Sequence, residues 1–422
     1  MASFVARLPR LSVKVDMSGQ EDRGNRAAAT GADLRVAWVM AGDLRPWRVP
    51  FVNELALGDD IELTVFHSAP RTKFGAPAQL PQASVAHVVE LRDVLWPFVG
   101  QRTAWLRGTW KILRSGFDVI VCQETVHNMT TWTIALLQVF GFRFVLHGHF
   151  YRNTHKREGG LRIRGAARRL LAGRARAFLA YTDRGRDALI ESGVPAEKVF
   201  VTRNTLDTER LMRIADGVTA DDLVETRRSL DIENEPVLLM MGRLLPEKKV
   251  DVLIEAVRLM GDMQEDVVLI VIGDGVERRR LEEQAGGLRR VHFLGAIYDE
   301  AELAPYLLVS DLLVIPGRIG LTCVHGFTAG LPSVTGSAEV VHQSPEFDYI
   351  VDRTNGILVA DLSPGAFAQA ISEVLRDGDR LLDLSRAARR TAGSLSMRTM
   401  VEEFVKGVRY ARHSSTSPGG AN

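Results

Sequence analysis

Short apolar runs of strand length recur along the chain from residue 34, and each is followed by a polar turn and an amphipathic segment. Continuous rather than alternating hydrophobicity is typical of parallel strands that are covered on both faces. The first series of predicted strands comprises residues 34–40, 61–68, 117–123, 142–149, 176–182 and 198–204. The second series comprises residues 236–243, 267–275, 290–296, 311–316, 332–336 and 356–360.

Segments with helical periodicity separate these strands, for example at residues 250–260 and 365–377. The alternation predicts an α/β chain with two doubly wound, Rossmann-like domains that face each other across a cleft. Ligands of such sheets bind at the carboxyl ends of the strands, so a ligand is expected between the domains. The predicted division is a disordered tail at 1–33, domains at 34–212 and 213–395, a C-terminal helix at 396–412 that crosses back to the first domain, and a flexible tail at 413–422.

Charge and cysteine content argue against several classes of protein. Lys and Arg total 53 against 52 Asp and Glu, a net charge of +1, so no nucleic-acid partner is expected. Cys122 and Cys323 are far apart and lack metal-binding spacing, which suits a reducing cytoplasm. No apolar run is long enough to cross a bilayer. Asp377 and Asp379 flank a turn glycine rather than forming a metal motif, so we expect no metal and no other cofactor.

The stretch 311–332 carries the most informative chemistry. An apolar strand here runs into a glycine-rich turn, and residues 321–329 have a helical pattern. Backbone N–H groups at the start of such a helix are unpaired and lie at the positive end of its dipole. Gly320, Leu321 and Thr322 are therefore predicted to hold a phosphate. A glycine turn that merely opens an ordinary helix is the alternative.

Two cationic side chains follow the first strand of the second series. Arg243 is placed at the strand end and Lys248 five residues later. Both are predicted to be exposed in the cleft, where a guanidinium fork and an ammonium group suit a diphosphate. A loop with solvated charges is the alternative. The next strand ends in Gly273, Asp274 and Gly275, which permit a tight approach of the backbone.

The second half of the chain resembles the donor-binding half of retaining glycosyltransferases with the GT-B fold, those of glycosyltransferase family 4. The segments that carry the resemblance are residues 204–211, 242–256, 271–282, 291–297, 310–334 and 344–359. The resemblance implies that a nucleotide-sugar is the donor and that the first domain binds the acceptor, a glycan, a lipid-linked sugar or a small molecule. It also implies that Gly242, Arg243 and Lys248 lie at the donor diphosphate.

The sequence departs from the family at two glutamates that are usually eight positions apart. Gly317 and His325 occupy those positions here, and neither is a carboxylate. An imidazole at 325, one turn beyond the glycine-rich turn, can still bond a ribose hydroxyl or a phosphate. Glu346, in the segment SPEF, is a candidate carboxylate near the donor, and a helix-start acid favoured by the dipole is the alternative.

The first domain resembles the family less closely. His147 ends an apolar strand where many relatives have a histidine facing the cleft, so His147 is a candidate catalytic residue. His149 is a candidate for positioning the acceptor. Arg45 and Arg48, in the first strand-to-helix loop, are candidates for contacting phosphate or acceptor, and Asn204 for an acceptor or interdomain contact. Strand-end histidines bonded to the backbone are the alternative.

Residues 156–176 contain eight basic residues and one acid, with apolar positions at helical spacing. This pattern suits a helix that lies on an anionic membrane surface, and a solvated basic face is the alternative. The sequence thus predicts a cytoplasmic glycosyltransferase, peripheral to the inner face of the membrane. The alternatives are a phosphorylase, a sugar-nucleotide epimerase, and a sugar-nucleotide-binding subunit that has lost catalysis.

Overall fold

The computed structural model describes residues 34–40, 42, 44–58, 61–68, 86–95, 104–125, 128–138, 141–150 and 161–414. The predicted tail at 1–33, and all but the first two residues of that at 413–422, lie outside these ranges. Within them the chain forms two parallel sheets, of seven and six strands, and one two-stranded antiparallel ribbon. The predicted α/β architecture with two Rossmann-like domains is confirmed.

The first sheet consists of β1 (Leu34–Val39), β2 (Ile61–Ser68), β3 (His87–Leu91), β6 (Val119–Gln123), β7 (Arg143–Gly148), β8 (Ala177–Ala180) and β9 (Val199–Val201). Its strand order is β3-β2-β1-β6-β7-β8-β9, parallel throughout. The ribbon pairs β4 (Asp93–Leu95) with β5 (Ala104–Leu106). The helices of this domain are α1 (Val49–Leu57), α2 (Thr109–Arg114), α3 (Met129–Leu136), α4 (Leu161–Arg174) and α5 (Asp183–Glu191).

Three of these strands, β3, β4 and β5, were not predicted from the sequence. The strand β3 lies at the edge of the sheet, and its residues are exposed or half-buried rather than buried. An edge strand has one neighbour and contacts the core only partly, so it lacks the continuous apolar run that reveals a central strand. The short ribbon strands have three residues each, too few for periodicity to reveal.

The second sheet consists of β10 (Val237–Met241), β11 (Val268–Ile272), β12 (Val291–Gly295), β13 (Leu312–Ile315), β14 (Ser333–Gly336) and β15 (Gly356–Val359). Its order is β12-β11-β10-β13-β14-β15. Its helices are α8 (Val250–Asp262), α9 (Arg278–Gln284), α10 (Glu300–Leu308), α11 (Thr322–Thr328), α12 (Pro364–Leu375) and α13 (Gly378–Ser394). Two further helices precede them in the chain, between the two sheets.

The segment between the sheets forms two helices, α6 (Thr208–Asp216) and α7 (Ala220–Ser229). Leu206 and Leu211 belong to the same buried cluster as strands of the second sheet. By its packing α6 therefore belongs with the second sheet, although the sequence-based boundary cuts this helix at residue 212.

The last helix, α14 (Met397–His413), follows the second domain but packs on the first sheet. Phe404 and Val408 are fully buried in one cluster with Trp38 and with core valines of the first sheet. The apolar positions of α14 recur at helical spacing, so one face of the helix covers the sheet. This helix thus fixes the second domain to the first.

In each sheet one central strand marks the point where the order of strands reverses. In the second sheet this strand is β10, which pairs with β11 on one side and β13 on the other. The loops after β10 and β13 leave the sheet in opposite directions and open a crevice at their carboxyl ends. This is where a doubly wound sheet is expected to bind a ligand.

Candidate functional site

The loops after β10 and β13 bring the predicted phosphate-binding features together. A Cβ atom added to Gly242 would lie 3.7 Å from Lys248 Nζ and 3.7 Å from Thr322 Oγ1. The strand end, the cationic side chain and the start of α11 are therefore immediate neighbours. Arg243 follows Gly242 and its side chain is exposed.

Lys248 is not the exposed cleft charge that the sequence predicted. Its Nζ donates hydrogen bonds to the carbonyl oxygens of Arg318, at 2.8 Å, and Ile319, at 3.1 Å. Burial, and next the charge of Arg318, lower the pKa of Lys248 from 10.5 to about 8. The ammonium thus lies inside the loop, with one of its three N–H donors left over for a ligand.

The glycines after β11 shape the loop that carries Arg243. A Cβ atom on Gly273 would lie 1.9 Å from the carbonyl oxygen of Gly242, and one on Gly275 would lie 2.3 Å from that of Leu244. Only glycine permits such a close approach of two backbones. Asp274 accepts a hydrogen bond from the N–H of Gly275 at 2.7 Å, and its side chain is exposed. The backbone of Gly273 and Gly275 thus packs directly against the loop that carries Arg243.

The backbone around Gly317 explains why no glutamate occupies that position. The N–H of Gly317 donates to the carbonyl oxygen of Lys248 at 3.0 Å, and the N–H of Arg318 donates to that of Glu247 at 2.8 Å. A Cβ atom at 317 would lie 2.0 Å from the latter oxygen. Backbone hydrogen bonds join the Lys248 loop to the loop after β13 here, so any side chain at 317 would push the two loops apart.

The loop between β13 and α11 is held from its other side by Gln343, which is buried. Gln343 accepts from the N–H of Ile319 at 3.1 Å and donates to the carbonyl oxygen of Gly336 at 2.8 Å. Gly320 has a φ of +67°, a left-handed conformation that favours glycine. Within the described ranges, no acceptor is recorded for the N–H groups of Gly320, Leu321 and Thr322.

The helix that follows is shorter than predicted. It runs from Thr322 to Thr328, seven residues, and not from 321 to 329. His325 lies in its last turn, and burial lowers the pKa of this imidazole to about 4. His325 is therefore neutral at physiological pH, and can accept as well as donate a hydrogen bond.

Glu346 lies at the junction of the two domains. Asn204 Nδ2 donates a hydrogen bond to its Oε1. Burial raises the pKa of Glu346, while the nearby charges of Arg48 and Arg318 oppose that shift. In the same short turn, Asp348 accepts from Thr182 at 2.7 Å. The turn thus carries two carboxylates that both bond residues of the first domain.

Tyr349 completes this junction. Its hydroxyl lies 3.1 Å from the carbonyl oxygens of both Tyr181 and Asn204, to either of which it can donate. Asn204, predicted as an acceptor or interdomain residue, is thus placed between the domains. Three side chains of the turn Pro345–Tyr349 contact the first domain, so the turn links the two domains.

The structure does not place His147 on the cleft surface. Its side chain is fully buried, with its ring 5.4 Å from that of Trp38 and 4.8 Å from that of Tyr181. Burial and the charge of Arg48 lower the pKa of His147 well below its usual value. His147 therefore packs the sheet as a neutral ring, and a direct catalytic contact would require the core to open.

Arg48 lies between His147 and the domain junction. Its guanidinium lies over the rings of Trp38 and Tyr181, and Nη2 donates to the Tyr181 hydroxyl at 3.1 Å. Its Nη1 is buried, and no partner for it is recorded in the described part of the chain. Arg45, by contrast, lies over the exposed ring of Trp47. His149 is half-buried, and its carbonyl faces the start of α5.

Sequence reasoning missed two charged residues of the site. Arg318 borders Lys248, as described above. Glu124 follows β6 at the carboxyl edge of the first sheet, and its Oε1 lies 2.8 Å from Arg168 Nε. A polar residue directly after a buried strand was the signal for Glu124. Arg318 lies inside the resembling segment 310–334, beside the position of the missing glutamate.

The pairing of Arg168 bears on the basic segment 156–176. Residues 161–174 form α4, as the spacing predicted, and Arg169 and Arg174 on it are exposed. Arg168 is only partly exposed and binds Glu124, so it is not available to a surface. Residues 156–160 lie outside the described residues.

Two features are absent from the described residues. None of their helices is long and apolar enough to cross a membrane. No group of three or more His, Cys, Asp or Glu side chains among them is arranged to hold a metal ion.

Family models match both halves of the chain. Residues 8–210 match the model described as Glycosyltransferase Family 4, and residues 235–377 match that of Glycosyl transferases group 1. The chain is therefore similar to glycosyltransferase domains in both of its halves.

Individual glycosyltransferases are also similar to parts of this chain. D-inositol 3-phosphate glycosyltransferase from Geodermatophilus obscurus is 30% identical over 240 residues, which cover 52% of this chain and 51% of that protein. Alpha-D-kanosaminyltransferase from Streptomyces kanamyceticus is 30% identical over 217 residues, covering 48% of this chain and 52% of that protein. The chain thus spans about half the length of the curated relatives that it matches.

A solved structure matches nearly the whole fold. HepE from Anabaena, determined in complex with UDP, has a TM-score of 0.66 at 19% identity, over 89% of this chain and 99% of that chain. The predicted GT-B arrangement of two Rossmann-like domains is confirmed by this likeness.

Proposed function

We propose that this protein transfers a sugar from a nucleotide-sugar donor to an acceptor, with retention of configuration at the anomeric carbon. One observation carries the proposal. Lys248, Thr322 and the end of β10 converge at the switch point of the second sheet, where a diphosphate would meet an ammonium group and unpaired backbone N–H groups. The two glycosyltransferase domains and the UDP complex of HepE support it.

In this mechanism side-chain cations replace a metal at the diphosphate. The bond from the anomeric carbon to the diphosphate breaks, and negative charge grows on the departing phosphate oxygen. The Lys248 ammonium and the Arg243 guanidinium stabilise that charge in a site from which much water is excluded. Lys248 is preorganised, because two carbonyl oxygens already fix its position. The acceptor hydroxyl approaches from the first domain as the domains close. It forms the new bond to the anomeric carbon on the face that the diphosphate leaves, and its proton passes to the departing phosphate oxygen.

The remaining predicted residues have supporting roles in this proposal. His325, as a neutral imidazole, bonds a ribose hydroxyl or a phosphate oxygen. Glu346 is positioned by Asn204 and couples the donor domain to the acceptor domain. Arg48 and Glu124, at the carboxyl edge of the first sheet, border the side from which the acceptor enters.

Nucleotide binding and turnover separate this proposal from its alternatives. A thermal-shift panel of nucleotides and nucleotide sugars identifies the donor, and product analysis with candidate acceptors follows. A phosphorylase would make sugar phosphate from a glycan and inorganic phosphate. An epimerase would convert the nucleotide sugar without an acceptor, and a binding subunit would show no turnover.

Substitution of the cations tests the residue roles. We expect Arg243→Ala and Lys248→Ala each to lower turnover about a hundredfold, because a lost transition-state contact costs about 3 kcal/mol. Lys249→Asn is the matched control. The side chain of Lys249 is exposed, and its backbone has the left-handed conformation, which asparagine tolerates. Equal kinetics in wild type and both alanine variants would contradict the diphosphate assignment.

We also propose that the exposed arginines of α4 attract anionic lipid. The described helix carries no acid, and Arg169 and Arg174 are exposed on it. Replacing both with Ala should weaken binding to acidic liposomes by about 1 kcal/mol per charge at low salt. Equal sedimentation of wild type and variant with these liposomes would leave α4 an ordinary covering helix.

A further inference from the structure

A second cation, Arg318, lies near the glycine-rich turn. A Cβ atom on Gly320 would lie 3.6 Å from Ser344 Oγ, and that hydroxyl accepts a hydrogen bond from Arg318 Nε at 2.9 Å. A Cβ atom on Gly242 would lie 3.7 Å from both Lys248 Nζ and Thr322 Oγ1, so Lys248 is also close to this turn. The turn thus has an ammonium and a guanidinium as neighbours.

Three cations gather around this turn. The charges of Arg318 and Arg243 both act to lower the pKa of Lys248, and the charge of Glu247 opposes them. Like charges that are brought together in a partly buried loop destabilise the ligand-free protein. An anion that enters between them removes this cost, so the arrangement favours a polyanionic ligand.

The Arg318 side chain retains most of its donors. A guanidinium has five N–H donors in a planar fork. In the described part of the chain, the hydroxyl of Ser344 is the only acceptor recorded for the Arg318 side chain, and it takes Nε. The charge of Arg318 acts to lower the pKa of Glu346, but no salt bridge between the two is recorded there. The hydrogen bond to Ser344 fixes the direction of the fork.

We propose that Arg318 is a third diphosphate-binding side chain, acting with Lys248 and Arg243 on the donor. The proposal rests on the proposed function and extends it to a residue that the sequence did not suggest. The guanidinium fork binds two phosphate oxygens at once, whereas Lys248 acts as a point charge. Gly317 makes this possible. The backbone hydrogen bonds of residues 317 and 318 to the Lys248 loop hold the chain so that the Arg318 side chain lies beside the turn.

The test compares binding of UDP, GDP and inorganic pyrophosphate, measured by calorimetry. Arg318→Gln should weaken whichever of these binds by about tenfold to hundredfold, as expected for a charge-assisted hydrogen bond. Arg318→Lys should lose less, because it keeps the charge but not the fork. Arg353→Gln is the control, since Arg353 is exposed and pairs with Asp352. Uridine and guanosine, which lack phosphate, should bind all variants equally.

A second readout tests whether the charge of Arg318 acts on Lys248. Removing the charge at 318 should move the pH midpoint of Lys248 upward, so diphosphate binding by Arg318→Gln persists to higher pH than in wild type. Thermal unfolding shows whether each variant folds, and Arg318→Lys keeps the test valid if Arg318→Gln does not fold.

Three results would overturn the proposal. If Lys248→Ala weakens diphosphate binding and Arg318→Gln and Arg318→Lys do not, Arg318 only secures Ser344, and the proposed function stands without it. If none of these three changes weakens binding, the diphosphate lies elsewhere and the proposed function fails as well. A loss confined to nucleotide sugars, with UDP and GDP unaffected, would also overturn it, by assigning Arg318 to the sugar.

Discussion

Diphosphate binding should depend on the protonation of Lys248. The pKa of its ammonium is about 8 in the ligand-free protein, because it is buried beside Arg318. A bound diphosphate stabilises the charged form and raises that pKa. At pH 7 about nine-tenths of the molecules carry the proton before binding, and at pH 9 about one-tenth do. Affinity should therefore fall about tenfold over this range, or about 1.4 kcal/mol.

Calorimetry in two buffers with different ionisation enthalpies measures this effect directly. Binding at pH 8 should take up about half a proton per molecule, and binding at pH 7 about a tenth. Lys248→Met serves as the matched variant, since it keeps the length and apolar stem but cannot titrate. Uptake that is absent at pH 8, or that persists in Lys248→Met, would refute the assignment.

The stability of the ligand-free protein should change in the opposite direction. The native pKa of Lys248 lies below its ordinary value, so the unfolded chain binds more protons between about pH 8 and pH 10.5. The contribution of Lys248 to stability therefore rises with pH in this window. A fall in affinity that accompanies this rise cannot come from global unfolding.

Three further changes test neighbouring parts of the site. Gly317→Ala should lower the free energy of unfolding by about 1–3 kcal/mol, because its Cβ would overlap the carbonyl oxygen of Glu247; unchanged denaturant midpoints would show that the loops separate freely. His325→Ala should weaken nucleotide binding by about 1–3 kcal/mol, equally at pH 6 and pH 8, since the pKa of this imidazole is about 4; unchanged affinity in calorimetry would leave His325 a packing residue. Burial raises the pKa of Glu346, so the free energy of unfolding should fall as the pH rises above the ordinary pKa of a glutamate. Glu346→Gln should remove this fall, and parallel pH–stability curves of wild type and variant would contradict the prediction.

The sequence alone determined the architecture and indicated which residues meet at the carboxyl end of the second sheet. Buried parallel strands must be apolar along their whole length, so twelve of the strands were visible as continuous runs. Glycine and lysine at the ends of successive strands lie at one edge of a parallel sheet whatever the details of packing. For this reason Gly242, Lys248 and Thr322 were correctly placed near one another. The partly exposed β3 had no such pattern and was missed.

The tertiary structure decided what each of these residues can do. Burial is set by contacts between distant segments. The sequence therefore could not show that Lys248 is half-buried and bonded to two carbonyl oxygens, or that His147 lies in an aromatic core. The same holds for Gly317, which appears in the sequence only as a missing carboxylate. In the fold it is the point where two loops form hydrogen bonds with each other. That contact excludes any side chain at 317 and places Arg318 beside the glycine-rich turn, because two backbones can approach so closely only where there is no Cβ atom.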